Sequence, residues 1–186
     1  PLPKMWIEKW HSHECHFLCL KFMSTLLHFY TIKNDFITKM KSLDSKIQNN
    51  YDGKRPYIGV LLVVNGLNYY APLSSYKEKQ DRINNITVFK LHEKGNPNNK
   101  LGVIHINNMF PVPDDQLIAV TIDITDDYGR LLQNQYEYIL HSQDEIQQQA
   151  QQLYDLVLKN KNSFIGRLSC DFKLLESALN QQKNAL

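Results

Sequence analysis

Two β-rich runs, YIGVLLVV (57–64) and LNYYA (67–71), are joined by nothing but Asn65-Gly66. Both linking residues tolerate positive φ, which a two-residue hairpin turn demands, so an antiparallel pair is expected here and the rest of the chain must pack on it. LHFYTI (27–32) alternates like a strand, and Asn34 is placed to cap a short helix through Phe36, Met40 and Leu43. ITVFKLH (86–92) and LGVIHI (101–106) flank a turn at 94–99 and predict a second hairpin. LIAVTIDI (117–124), after Pro111 and Pro113, adds a further β-rich segment. From about Asp127 the apolar period becomes helical, with Leu131, Leu132, Tyr136, Ile139 and Leu140 on one face. Ser142 and Glu145 form a capping-box signature for a helix that buries Ile146, Ala150, Leu153, Tyr154, Val157 and Leu158. A last helix is expected from Asp171 through Leu179. The fold class is α+β: five or six mostly antiparallel strands, then a helical C-terminal part.

A length of 186 residues with 42% hydrophobic content suits one domain with a buried core and excludes disordered and collagen-like classes. No apolar run approaches the roughly 20 residues of a membrane-spanning helix. Cys15, Cys19 and Cys170 are too few for a disulfide framework, so a reducing, cytoplasmic setting is expected. Residues 1–22 differ in texture, with both Trp residues and the cluster His11, His13, Cys15, His16 and Cys19. That cluster lacks the two separated ligand pairs of a zinc module. The segment reads as an N-terminal extension or expression leader, and 23–186 as a single domain. The glutamines at 147–149, 151 and 152 read as a solvated helix face.

Charge is unevenly placed. Residues 51–100 carry eight Lys or Arg against four acids, whereas 101–186 carry six against eleven. A basic middle is compatible with a phosphate-binding surface, because polyanion affinity follows clustered cations rather than total charge. Scattered solvated charge is the plainer alternative. The P-loop, the dinucleotide-binding glycine fingerprint, the hydrolase nucleophile elbow and the H-E-x-x-H zinc helix are all missing. Asp123, Asp126 and Asp127 could bind Mg²⁺, but capping a helix N-terminus explains them more simply. In YAPLSSYKEKQDR (70–82), Ser74, Ser75, Lys77, Lys79 and Arg82 bring hydroxyls and cations together at a strand end. The polar loop 44–56 delivers Tyr51, Lys54 and Arg55 beside the next strand.

Several passages together resemble the ToxN/AbiQ family of type III toxin-antitoxin endoribonucleases. They are FYTI (29–32), YIGVLL (57–62), YAPLSSYK (70–77), FKLHEKGNPNNKLG (89–102) and NMFPVP (108–113), with a looser match up to FKLLE (172–176). The resemblance implies a strongly bent antiparallel sheet like the Kid/MazF core, decorated by helices, that cuts RNA without metal or cofactor. By resemblance, the family's hydroxyl pair and lysine fall on Ser74, Ser75 and Lys77, and its loop tyrosine and cation on Tyr51 and Arg55. Ser74 stands where many relatives have Thr, and Arg55 where Lys is common. Arg cannot readily shed a proton and favours bidentate phosphate contact, so Arg55 is expected to clamp phosphate rather than act as a base. Lys54, Lys79, Arg82, Lys90 and His92 complete the expected RNA-binding set.

Metal-free RNA cleavage uses the 2′-hydroxyl as the nucleophile on the adjacent phosphorus. The protein orients the chain, moves protons and neutralises the developing dianion, and the products are a 2′,3′-cyclic phosphate and a 5′-hydroxyl. The general base stays unassigned. His92 has a suitable ordinary pKa, yet a histidine in an alternating strand is more often structural; His28 and His105 carry less weight. The resemblance further implies inhibition by a structured repeat antitoxin RNA that the enzyme processes, a closed protein-RNA hetero-oligomer, and adenine-rich targets. A role in phage defence or locus maintenance would follow. Two other classes remain open: an RNA-binding module without catalysis, and a protein-interaction domain using the Gln-rich helix.

Overall fold

The computed structural model describes residues 27–83 and 85–183. The expected leader 1–22 and its His/Cys cluster lie outside the described residues. The elements run β1 (His28–Ile32), α1 (Asn34–Leu43), β2 (Tyr57–Val64), β3 (Leu67–Ser75), β4 (Phe89–Glu93), β5 (Asn96–Ile104), β6 (Phe110–Pro111), β7 (Leu117–Ala119), α2 (Asp127–His141), α3 (Gln143–Lys159), α4 (Phe164–Leu168) and α5 (Phe172–Lys183). The seven strands form an antiparallel sheet in the order β4-β5-β3-β2-β1-β7, with β6 beside β3.

The hairpin at the sheet centre is the β2–β3 pair, turning at Asn65-Gly66 with Val64 opposite Leu67. Its strands read as nearly unbroken apolar runs because both faces are covered. Tyr69 packs against Tyr154 of α3 and Phe172 of α5. Tyr70, pointing the other way, meets Tyr30 of β1 edge-on. Gly59 opposite Tyr70 is obligatory, since a Cβ there would lie 2.2 Å from the ring.

β3 is where the sheet changes partners. Up to Pro72 it pairs with β2, and from Leu73 to Ser75 it pairs with β5. The last three residues of β3 therefore leave the shelter of β2, and the edge they would have offered it is met instead by the segment just before β2: the Leu73 N–H donates to the Pro56 carbonyl at 2.9 Å.

The buried carboxylate of α5 is fully partnered. Glu176, 4% exposed, accepts from the hydroxyls of Tyr69 (2.7 Å) and Tyr154 (2.5 Å) and from the Lys173 ammonium (2.9 Å), fastening α5 to α3 and β3. Burial raises its carboxyl, but those donors outweigh it and hold the group below the usual range.

Several local expectations are corrected. Asn34 is the first helical residue rather than the cap; Lys33 holds that position without a side-chain bond, and Asn34 Oδ1 accepts instead from Asn50. The capping box at Ser142 does not form, because α2 runs into α3 with one residue between them. Ser142 N–H closes α2 by bonding to Tyr138 and Ile139, and its φ/ψ of −105°/18° departs from the extended geometry a box requires. Only 117–119 of the expected 117–124 strand pairs, against β1. Beyond it the Asp126 side chain accepts from Gly129 N–H at 2.6 Å and starts α2, the capping role expected of the acidic cluster. The glutamine face of α3 is divided: Gln148, Gln151 and Gln152 are exposed. Gln147 donates to the Val60 carbonyl at the register shift of β2, and Gln149 to those of Ile86 and Val88 just before β4, where the expected strand 86–92 has not yet begun.

Candidate active site

Loop 44–56 reaches the site as a left-handed turn, with Tyr51, Asp52 and Gly53 at φ of 49°, 56° and 81°. Two non-glycine residues in that region are costly, so something must hold them. Asn50 does: its side-chain amide, inside the core, donates to the Ile32 carbonyl and to Asn34 Oδ1, both at 2.7 Å. Its own carbonyl accepts from the N–H groups of Lys54 and Arg55. Tyr51 is thereby left 61% exposed at the rim.

Arg55 is 6% exposed and spans loop and sheet. Its Nε donates to the Asn49 carbonyl at 2.6 Å, and its Nη1 to the Leu73 carbonyl at 3.3 Å and to Ser74 Oγ at 3.4 Å. The Tyr51 ring lies over the guanidinium, 4.7 Å from centroid to Cζ. Buried and bonded in this way, Arg55 shapes the site as well as charging it.

Ser74 and Ser75 are the last residues of β3, not the start of a following turn. Gly102 of β5 stands opposite Ser75 at φ +147°, and a Cβ on it would lie 2.1 Å from the Ser74 carbonyl. The two strands can approach this closely only because that position is glycine. Lys77 then opens a short 3₁₀ turn over Glu78–Arg82, in which Gln80, 4% exposed, accepts from the Lys77 N–H and donates to the Ser75 carbonyl. This fixes the backbone path while leaving the Lys77 side chain exposed.

A third wall comes from α2. Tyr128, Leu132 and Gln135, spaced i, i+4 and i+7, face the same groove; Gln135 is 1% exposed and donates to the Leu101 carbonyl at 2.9 Å. Tyr51, Lys54, Arg55, Pro56, Leu73, Ser74, Ser75 and Lys77 line the rest of this groove of ≈ 200 Å³, and among the described residues no carboxylate lines it. Among the described residues, no group of three or more His, Cys, Asp or Glu is arranged to hold a metal ion.

The remaining candidates lie elsewhere. Lys90 and His92 line a second cavity of ≈ 260 Å³ with Tyr76, Gln80, Asp81 and Lys100. Lys100 pairs with Asp81 at 2.6 Å and stands over the Tyr76 ring, and Lys90 donates to the Asp81 carbonyl. His92 meets Tyr138 edge-on, and its buried Nδ1 has no hydrogen-bond partner. Lys79 and Arg82 are exposed on the 3₁₀ turn between the two cavities.

Sequence reasoning gave His105 little weight, yet its Nε2 lies 3.0 Å from Ser74 Oγ. Burial, then the fields of Arg55, Lys79 and Lys77, push its pKa down to about 4. The Tyr128 and Gln135 positions were also missed; only Leu132 belonged to the expected apolar face.

An antiparallel sheet thus gathers hydroxyls, ammoniums and a guanidinium into one groove, a donor set that suits phosphate oxygens. The chain belongs to the ToxN family of type III toxin-antitoxin endoribonucleases: the family described as toxin ToxN, type III toxin-antitoxin system, matches residues 28–180. The chain is 34% identical over 162 residues to endoribonuclease AbiQ of Lactococcus lactis subsp. lactis, covering 81% of this chain and 86% of AbiQ. It is 32% identical over 158 residues to endoribonuclease ToxN of Pectobacterium atrosepticum, covering 81% and 90%. The structure of AbiQ, described as a lactococcal anti-phage endoribonuclease of the type III system, superposes with a TM-score of 0.79 at 31% identity, over 86% of this chain and 99% of AbiQ. A second structure, from work on type III toxin inhibition by a non-coding RNA pseudoknot, superposes at 0.75 with 30% identity, over 85% and 98%.

Proposed function

We propose that residues 23–186 act as one metal-independent endoribonuclease unit, cutting RNA by 2′-hydroxyl transesterification to a 2′,3′-cyclic phosphate and a 5′-hydroxyl. The observation that carries this reading is the convergence of Ser74, Ser75, Lys77, Tyr51 and Arg55 on one groove without a carboxylate. Such a donor set suits the phosphorane directly. Ser75 donates to a nonbridging phosphate oxygen, Ser74 beside it meets the ribose, and the Lys77 ammonium and the outward edge of Arg55 neutralise the developing charge. Tyr51, at the rim, stacks on a base or donates to phosphate. Lys54 in the groove, Lys79 and Arg82 on the 3₁₀ turn, and Lys90 and His92 in the neighbouring cavity guide the strand on either side.

The natural partner is a structured repeat antitoxin RNA that the enzyme processes and that then inhibits it in a closed protein-RNA hetero-oligomer. The target is adenine-rich RNA, the setting is the cytoplasm, and the role is phage defence or locus maintenance. The related proteins support this: one is named an anti-phage endoribonuclease, and another toxin is inhibited by a non-coding RNA. Among the described residues no helix is long and apolar enough to cross a membrane.

The test is incubation of the purified protein with A-rich RNA in EDTA, followed by end-group analysis. Cleavage to cyclic-phosphate ends, abolished in Ser75→Ala and Lys77→Ala while the melting curves stay unchanged, is the expected result. Intact RNA with binding retained would instead identify a non-catalytic RNA-binding module.

A further inference from the structure

We infer that His105 is the terminal proton acceptor of the site, acting on the RNA 2′-hydroxyl through Ser74 rather than touching substrate itself. The inference rests on the ribonuclease reading above and supplies the base which that reading leaves open.

The geometry is a three-member chain. Arg55 Nη1 donates to Ser74 Oγ at 3.4 Å, while His105 Nε2 lies 3.0 Å from the same oxygen. In the Nδ1–H tautomer of His105, with the guanidinium donating into one lone pair, the hydroxyl's own proton is directed at Nε2, and the second lone pair of Oγ is left to accept from a ribose hydroxyl in the groove. The pair is built in: His105 directly follows β5, its N–H donates to the Pro72 carbonyl at 3.0 Å, and its carbonyl accepts from Asn108 N–H. The ring is therefore fixed to β3 two residues before Ser74. Neither a serine hydroxyl nor a lysine ammonium accepts a proton readily near neutral pH, whereas a neutral imidazole does.

The electrostatics fit that task. In the free protein, burial and the charges of Arg55, Lys79 and Lys77 keep the imidazole neutral at about pH 7, ready to accept. Those same three cations are the groups that RNA phosphates would neutralise. Burial, the larger cause, remains, but bound RNA offsets the share of the depression that the cations add, and the ring's basicity rises toward the range in which a general base is most efficient. The 2′-O–H proton then passes to Ser74 Oγ as the Ser74 proton passes to His105 Nε2. The 2′-oxygen bonds to phosphorus, the P–O5′ bond breaks, and the 5′-oxygen takes a proton from water. His105 returns its proton to solvent after product release.

The test uses the full chain and two readouts. His105→Gln keeps an amide near the Nε2 position but cannot titrate. Its kcat should fall by about 10²-fold or more with KM within about twofold, and the acidic limb of the wild-type kcat profile should disappear. Independently, ¹⁵N NMR of the wild-type imidazole should show its pKa rising when RNA carrying a 2′-deoxyribose at the scissile position binds. Wild-type kcat and an unchanged acidic limb in His105→Gln would overturn the inference, as would an imidazole pKa that does not rise on RNA binding. Should the variant fail to fold, the NMR measurement decides. A wild-type protein that binds RNA without cutting it would refute the ribonuclease reading itself, a result distinct from a His105→Gln that cleaves normally.

Discussion

Burial of His105 ties stability to pH with a sign that can be worked out. Free in an unfolded chain, the ring has a pKa of 6.5; in the fold it is held at about 4. Between those values the unfolded chain binds a proton that the folded one does not, so acid favours unfolding. Full stability is present above about pH 7 and is lost progressively as pH falls toward 4. At about 1.4 kcal/mol per pH unit, the loss from this one group reaches ~3 kcal/mol. That is a large part of the ~5–15 kcal/mol typical of a domain. The perturbation is His105→Gln and the assay is urea denaturation across this pH range, comparing the two proteins at each pH. Asp81, Asp171 and Glu176, all held below the usual carboxylate range, also lose stability in acid. They are common to both proteins, so the difference curve isolates the histidine. The variant should gain on the wild type by ~3 kcal/mol from neutral pH down to about pH 4. A difference that stays flat across that range would refute the reasoning, because it would mean that the ring takes up its proton in the folded protein as easily as in water.

Other perturbations follow from the same contacts. Gly102→Ala places a Cβ 2.1 Å from the Ser74 carbonyl at a backbone angle that L-residues avoid. A stability loss of at least ~2 kcal/mol in urea melts is expected, with RNA cleavage falling further than stability alone accounts for. Arg55→Lys keeps the charge but cannot reach the Asn49 and Leu73 carbonyls together. It should cost ~1.5–3 kcal/mol by the same assay and weaken RNA binding. Tyr69→Phe removes one of three donors to buried Glu176 and should also cost ~1.5–3 kcal/mol, whereas Glu176→Ala, which strands two hydroxyls, should cost more.

What the sequence discloses and what it withholds divide along the reach of the interactions. The β2–β3 hairpin and the stripes of α2 and α3 are written in local periodicity and turn chemistry, and they form as read except at the stripe ends, where Leu140 and Leu158 stay exposed. Caps at Asn34 and Ser142 fail because a distant amide and an adjoining helix claim those groups first. The run 117–124 has the composition of a strand, but it leaves β1 after a last bond from Val120 N–H to the Phe29 carbonyl, and Ile118 and Ile124 end up 52% and 59% exposed. In the groove, Ser74, Ser75 and Lys77 stand close together in the chain and were identified from one motif. His105 was not, because it meets Ser74 across the register of β3 and β5, 31 residues away. Gln135 reaches the Leu101 carbonyl from a helix that begins after the whole sheet. No pattern within a window of sequence records such meetings.

The α2 wall bears on when the protein becomes dangerous. Tyr51 through Lys77 leave the ribosome early, but Tyr128, Leu132 and Gln135 follow only after every strand has been made. A nascent or prematurely terminated chain that ends before Asp127 carries the hydroxyls and cations on an open floor, without the side that would confine an RNA strand. Because a growing chain folds from its N-terminus onward, the groove gains its third side only once synthesis has passed Gln135.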